Sequence, residues 1–175
     1  MTETNEKFEI FGCYAQSELW ASLNWVGKPE LGPWLTESGE DIIDLVEQGR
    51  CEEIGFATWF APGPSSRDTK RPRADFLWAG GLAYKIVSAQ FAETLIMLGV
   101  SGLEVQPADL RTRKGEAIKG YVQLFEDLTG ESEVTTPFWQ NQTRATSLLV
   151  TKRIVDGLRD AGVTRFKVEK HPVEA

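Results

Sequence analysis

The chain has 175 residues and a formal net charge of −7, a length that suits one domain able to bury a core without disulfide or metal staples. The excess of acid excludes a role that rests on neutralising phosphate backbones, so no nucleic-acid partner is expected. Residues 1–7 are polar and acidic and no apolar run reaches the length of a bilayer span, which predicts a cytoplasmic protein with no membrane partner.

In chain order, Phe8 to Tyr14 alternates like an opening strand, whereas residues 17–26 have mixed periodicity and receive no assignment. After the turn-rich stretch 28–33, residues 40–48 read as a short amphipathic helix closed by Gly49, with acids crowding its first turn, where the helix dipole favours them. Residues 54–60 read as a strand, and the proline-, glycine- and serine-rich segment 61–73 as a loop carrying Arg67, Lys70, Arg71 and Arg73. Residues 106–115 contain a turn and 120–125 alternate as a strand, so the two are expected to pair as a hairpin. The single histidine, His171, precedes Pro172 in an expected exposed tail.

Residues 85–105 and 148–168 align without a gap, matching Val87 with Val150, Leu95 with Leu158, Gly99 with Gly162 and Val105 with Val168. Each reads as strand, short helix, strand. Ser88 and Thr151 stand where a hydroxyl caps a new helix, Phe91, Leu95 and Leu98 (or Ile154, Leu158 and Ala161) form an apolar stripe, and Gly99 or Gly162 ends it. The expected fold is therefore α+β, one domain spanning 1–175, with a mixed or antiparallel sheet, short helices and two repeated units in its part from 75 to 175. No phosphate-binding glycine loop and no recurring His, Cys or carboxylate marks the repeat, so its residues are expected to be scaffold.

The part from 1 to 74 is the acidic one: up to Glu53 twelve carboxylates face three cations, a net −9, which leaves the remainder at +2. Such a lobe attracts and steers a basic partner; each carboxylate taken singly also fits a solvated face. Catalysis has little to build on. Cys13 and Cys51 lack paired spacing and read as reduced thiols, no metal-ligand spacing occurs, and no cofactor is expected. Glu52 and Glu53, read as neighbours at the start of a strand, would point to opposite faces and form no catalytic pair. Two other readings stay open: a small enzyme or sugar-binding protein using carboxylates and tryptophans in a groove, and a non-catalytic adaptor subunit.

The succession of residues 75–78, Ile86-Val87-Ser88 with its helix and Gly99-Val100, residues 120–125, Pro137-Phe138-Trp139, and Leu149-Val150-Thr151 with a second helix resembles a bacterial family of polymorphic-toxin immunity proteins. That family is marked by a valine-valine-serine helix start and a later apolar-valine-serine or -threonine helix. The likeness covers residues 75–173 and supplies no catalytic residues. It implies a small inhibitor that binds and neutralises a cognate toxin. Interfaces are anchored by aromatic side chains and complementary charge, so the expected partner-binding residues are Trp34, Glu37, Glu40, Asp41, Asp44, Glu47 and Glu52, facing a basic surface on the toxin.

Overall fold

The computed structural model describes residues 10–15, 21–63, 72–137 and 144–170. The chain is α+β, with three short α-helices and twelve strands among the described residues, the strands forming three open sheets, two antiparallel and one mixed. The strands are β1 (Ile10–Tyr14), β2 (Ser22–Trp25), β3 (Thr58–Ala61), β4 (Phe76–Leu77), β5 (Lys85–Ser88), β6 (Glu104–Pro107), β7 (Leu110–Arg111), β8 (Ala117–Ile118), β9 (Tyr121–Phe125), β10 (Val134–Thr135), β11 (Leu148–Thr151) and β12 (Lys167–Lys170). The helices are α1 (Ile42–Glu47), α2 (Ala89–Met97) and α3 (Lys152–Asp160), with a 3-10 turn at Cys51–Ile54.

The central sheet has the order β4-β5-β9-β6 and separates two cores, because successive side chains on a strand point to opposite faces. Phe76, Val87 and Leu124 enter a core with α2, α3 and the sheet β10-β11-β1-β12, whereas Leu77 and Ile86 enter a second core with α1 and the sheet β2-β3-β7-β8. The acidic N-terminal part is not set apart: β1 lies between β11 and β12, and β3 pairs with β7.

Helices α2 and α3 pack on each other through reciprocal bonds. The Gln90 side chain donates to the Ala161 carbonyl at 2.6 Å, and Arg153 donates to the Leu98 carbonyl at 3.0 Å. Gln90 and Arg153, like Leu98 and Ala161, occupy matched positions of the two aligned segments. At the helix ends the Val100 amide reaches the Leu95 carbonyl and the Val163 amide the Leu158 carbonyl, with Gly99 at φ 74° and Gly162 at φ 81° turning the chain as left-handed C-terminal residues. Gly157 permits the close approach, since a Cβ there would lie 2.6 Å from a Leu98 methyl.

Local structure departs from the sequence reading in four places. Ser88 caps α2 by accepting from the Phe91 amide at 3.2 Å, but the Thr151 hydroxyl makes no cap and instead donates to Glu133 at 2.9 Å. Residues 54–57 are not strand, because Gly55 at φ 82° turns the chain before β3 begins at Thr58. Glu52 and Glu53 consequently sit on the 3-10 turn and not at the start of a strand. Finally, β6 and β9 are antiparallel neighbours, but between them the chain leaves to form the β7–β8 hairpin on another sheet. Residues 8 and 9, Arg67, Lys70, Arg71, Phe138, Trp139 and His171 lie outside the described residues.

Candidate functional site

The acidic segment is organised by its own side chains. Asp41 is the N-cap of α1, its carboxylate accepting from the amides of Ile43 at 2.8 Å and Asp44 at 3.1 Å. Ahead of it a tight turn is held by the Thr36 amide on the Glu40 carbonyl (2.9 Å) and the Glu40 amide on the Thr36 hydroxyl (3.1 Å). Ile42, Leu45 and Val46 bury one face of the helix, and Asp44 stays on the exposed face. Glu47 turns inward: it is half-buried and accepts from the Ala83 amide at 2.6 Å. Burial pushes its carboxyl up, and the Ala83 bond opposes that shift.

The turn before α1 and the exit of the 3-10 turn face each other across a groove of about 450 Å³ lined by residues 35–38 and 53–56. Leu35 and Phe56 give it an apolar surface, being 48% and 42% exposed. Glu37 and Glu53 supply its acid. Arg50 organises the rim by gripping Glu53 with two nitrogens, at 2.7 and 2.5 Å, while reaching Glu40 at 3.3 Å. The Arg50 hydrogen bonds hold the Glu53 carboxyl below its usual range.

Trp34 stands behind the groove, edge-on to Trp25 with ring centroids 6.0 Å apart, and Trp25 in turn meets Phe56 at 6.1 Å. The Trp34 indole donates to the Pro29 carbonyl at 3.1 Å, and the Lys28 ammonium lies 4.5 Å from its ring centroid. Of the expected partner-binding residues, the fold therefore brings Glu37 into the groove and Glu40 onto its rim. Glu52 is exposed on the adjacent 3-10 turn and Asp44 on the helix, whereas Asp41 and Glu47 are engaged in holding the backbone and Trp34 in aromatic packing.

A second polar centre lies behind α1. Lys85 and Glu126 are fully buried and paired at 2.7 Å, and Lys85 also donates to the Ala145 carbonyl. Arg144 approaches Glu126 at 3.7 Å, stacks 5.0 Å from the Phe125 ring centroid and donates to the Glu47 carbonyl at 2.8 Å. With the Gln123 amide on the Val46 carbonyl at 2.9 Å, these bonds fasten the end of α1 to the central sheet. The cysteines are dispersed: Cys13 is fully buried, which pushes its thiol far above the normal range, and Cys51 is half-buried and also raised by burial. Among the described residues no group of three or more His, Cys, Asp or Glu side chains is placed to hold a metal ion, and no helix is long and apolar enough to cross a membrane.

The groove residues Leu35, Phe56 and Arg50 were not among the expected contacts. The only signal was the pair Gly55-Phe56, where a positive-φ glycine ends the 3-10 turn and leaves the following aromatic outside the core. No protein-family model matches the chain, and no curated protein matches it.

Proposed function

We propose that this chain is a non-catalytic inhibitor that neutralises a cognate bacterial toxin by direct contact, with the groove between residues 35–38 and 53–56 as its docking surface. The observation that carries this reading is the exposure of Leu35 and Phe56 inside a rim formed by Glu37, Glu40 and Glu53. Apolar anchors surrounded by charge of one sign suit a protein partner that presents basic residues around an apolar side chain. The resemblance of residues 75–173 to polymorphic-toxin immunity proteins supports the same reading and names the class of partner.

The test is co-expression with the product of the neighbouring gene, followed by affinity measurement with Phe56→Ala and with the charge reversal Glu37→Lys. Protection of cells, a complex weakened by salt, loss of affinity in Phe56→Ala and slower association in Glu37→Lys are the expected results. Failure to protect and to co-purify overturns the inhibitor reading. A complex indifferent to both substitutions moves the interface elsewhere.

A further inference from the structure

We propose that the cavity between β1, the end of α1 and the segments 81–83 and 144–147 binds a free α-amino acid, its carboxylate on Arg144 and its ammonium group on Glu47, a function separate from the docking groove. The cavity measures about 550 Å³, and both residues line it. Glu47 itself fixes the two charged heads: its main-chain carbonyl accepts from Arg144 Nη1 at 2.8 Å, while its side-chain Oε1 accepts from the Ala83 amide at 2.6 Å. Although they share a cavity, the guanidinium and the carboxylate form no ion pair with each other among the described residues. Each head keeps an unused atom. Arg144 Nη2 and Glu47 Oε2 have no hydrogen-bond partner among the described residues, and neither is sealed from solvent, the sealed side-chain atoms without a partner among those residues being the Tyr84 hydroxyl and Glu126 Oε2.

The surrounding charges favour a zwitterion over either single ion. Glu47 and Arg144 interact with the buried pair of Lys85 and Glu126, making two acids and two cations whose formal charges cancel. A lone anion in the cavity meets the field of Glu47 and a lone cation that of Arg144, whereas a ligand with both charges pairs each with its complement through charge-assisted hydrogen bonds. Burial, helped by Asp44, raises the Glu47 carboxyl against the pull of the Ala83 bond and of Lys85 and Arg144; an ammonium group beside it adds to that pull toward the ionised form. Tyr14, Thr146 and Ser147 are the hydroxyl residues of the lining, and the other wall positions are glycine and alanine, which suits a small hydroxylated side chain.

The experiment is a titration of the full chain, labelled with nitrogen-15, by L-serine, read at the Ala83 amide, which bonds Glu47, and at the Ala145 amide, which follows Arg144. The controls are ethanolamine, which is serine without its carboxylate, and 3-hydroxypropanoate, which is serine without its ammonium group. A saturable shift at both amides is expected, with each control weaker by about tenfold or more, as the loss of a charge-assisted hydrogen bond requires. Glu47→Gln keeps an acceptor for the Ala83 amide. It should weaken L-serine and ethanolamine by about tenfold or more and leave 3-hydroxypropanoate bound as well as before or better, whereas a merely structural role would weaken all three alike. Should Glu47→Gln unfold, the three ligands on the parent chain decide. No saturable shift at the highest soluble concentration, a control that binds as tightly as L-serine, a folded Glu47→Gln that binds L-serine like the parent, or a loss shared equally by all three ligands each overturn the proposal.

Discussion

Replacing Lys85 by methionine tests how the buried ion pair holds the fold. Both partners have fully buried side chains, the Nζ lies 2.7 Å from Glu126 Oε1, and among the described residues Glu126 Oε2 has no hydrogen bond, with the Arg144 guanidinium 3.7 Å away. Methionine preserves the length of the stem but strands a buried carboxylate and removes the donor to the Ala145 carbonyl, for which we expect a loss of about 3–5 kcal/mol, a large share of the ~5–15 kcal/mol typical of a domain. Burial lowers the Lys85 amine even with Glu126 beside it, so desolvation outweighs the attraction. The double change Lys85→Met/Glu126→Leu, which removes both charges, should then recover about half or more of the single-variant loss. The sign with pH follows: a lysine whose folded value is lowered binds its proton more weakly when folded than when unfolded. Its burial cost therefore recedes as pH rises through the folded value toward the ordinary 10.5. Urea unfolding with fitted slopes measures all three proteins. A cost below about 1 kcal/mol for Lys85→Met, or a double variant less stable than the single one, would refute this account of the pair.

Ser88→Ala should destabilise by about 1–2 kcal/mol, because the hydroxyl both caps α2 and donates to buried Asp75 at 2.9 Å. Thr151→Ala should cost only about 0.5–1 kcal/mol, since it removes one partly exposed bond to Glu133 and no cap; equal losses in parallel denaturant titrations would contradict the difference. Gly102→Ala should cost about 2–3 kcal/mol, as Gly102 has φ 71° and an added Cβ would lie 2.9 Å from the Asp127 Cβ; a thermal midpoint unchanged from the parent would refute it. At Asp127 partial burial raises the carboxyl, but hydrogen bonds from Thr129, Ser132 and Gly130 outweigh it and bring it to about 2. Its stabilising effect is thus complete above the ordinary 3.8 and lost as pH falls through about 2. The stability gap between parent and Asp127→Asn should shrink across that window, and parallel melting curves would exclude the assignment.

The two helical segments were readable because their signals are local and agree with each other: a hydroxyl before the helix, apolar residues on one face, glycine after it. Even there Thr151 shows the limit, since whether a hydroxyl caps its own helix depends on the acid that stands opposite, and Glu133 is distant in sequence. Pairing between strands was less legible. The position of β1 between β11 and β12 depends on contacts across most of the chain, and the excursion of β7 and β8 onto another sheet has no short-range mark. For the candidate site, charge density singled out one segment but could not sort its acids, because a carboxylate that caps a helix or binds a distant amide has the same letter as one that faces solvent.

That sorting decides how the proposed docking surface has to be probed. Asp41 caps α1, and Glu47 accepts from the Ala83 amide within reach of Lys85 and Arg144; reversing either charge would loosen the helix and the polar centre behind it, so a weakened complex would report damage to the fold. Glu37 lines the groove, is exposed and makes no ion pair among the described residues, which lets Glu37→Lys change the potential while leaving the cores untouched. Glu53→Lys lies between these cases: it abolishes the Arg50 clamp and places two cations side by side. If docking is driven by the field of the rim, Glu37→Lys and Glu53→Lys should slow association without hastening dissociation, whereas Phe56→Ala should chiefly hasten dissociation, because steering acts on encounter and anchors act on residence. The reverse pattern would place the apolar anchor outside this groove.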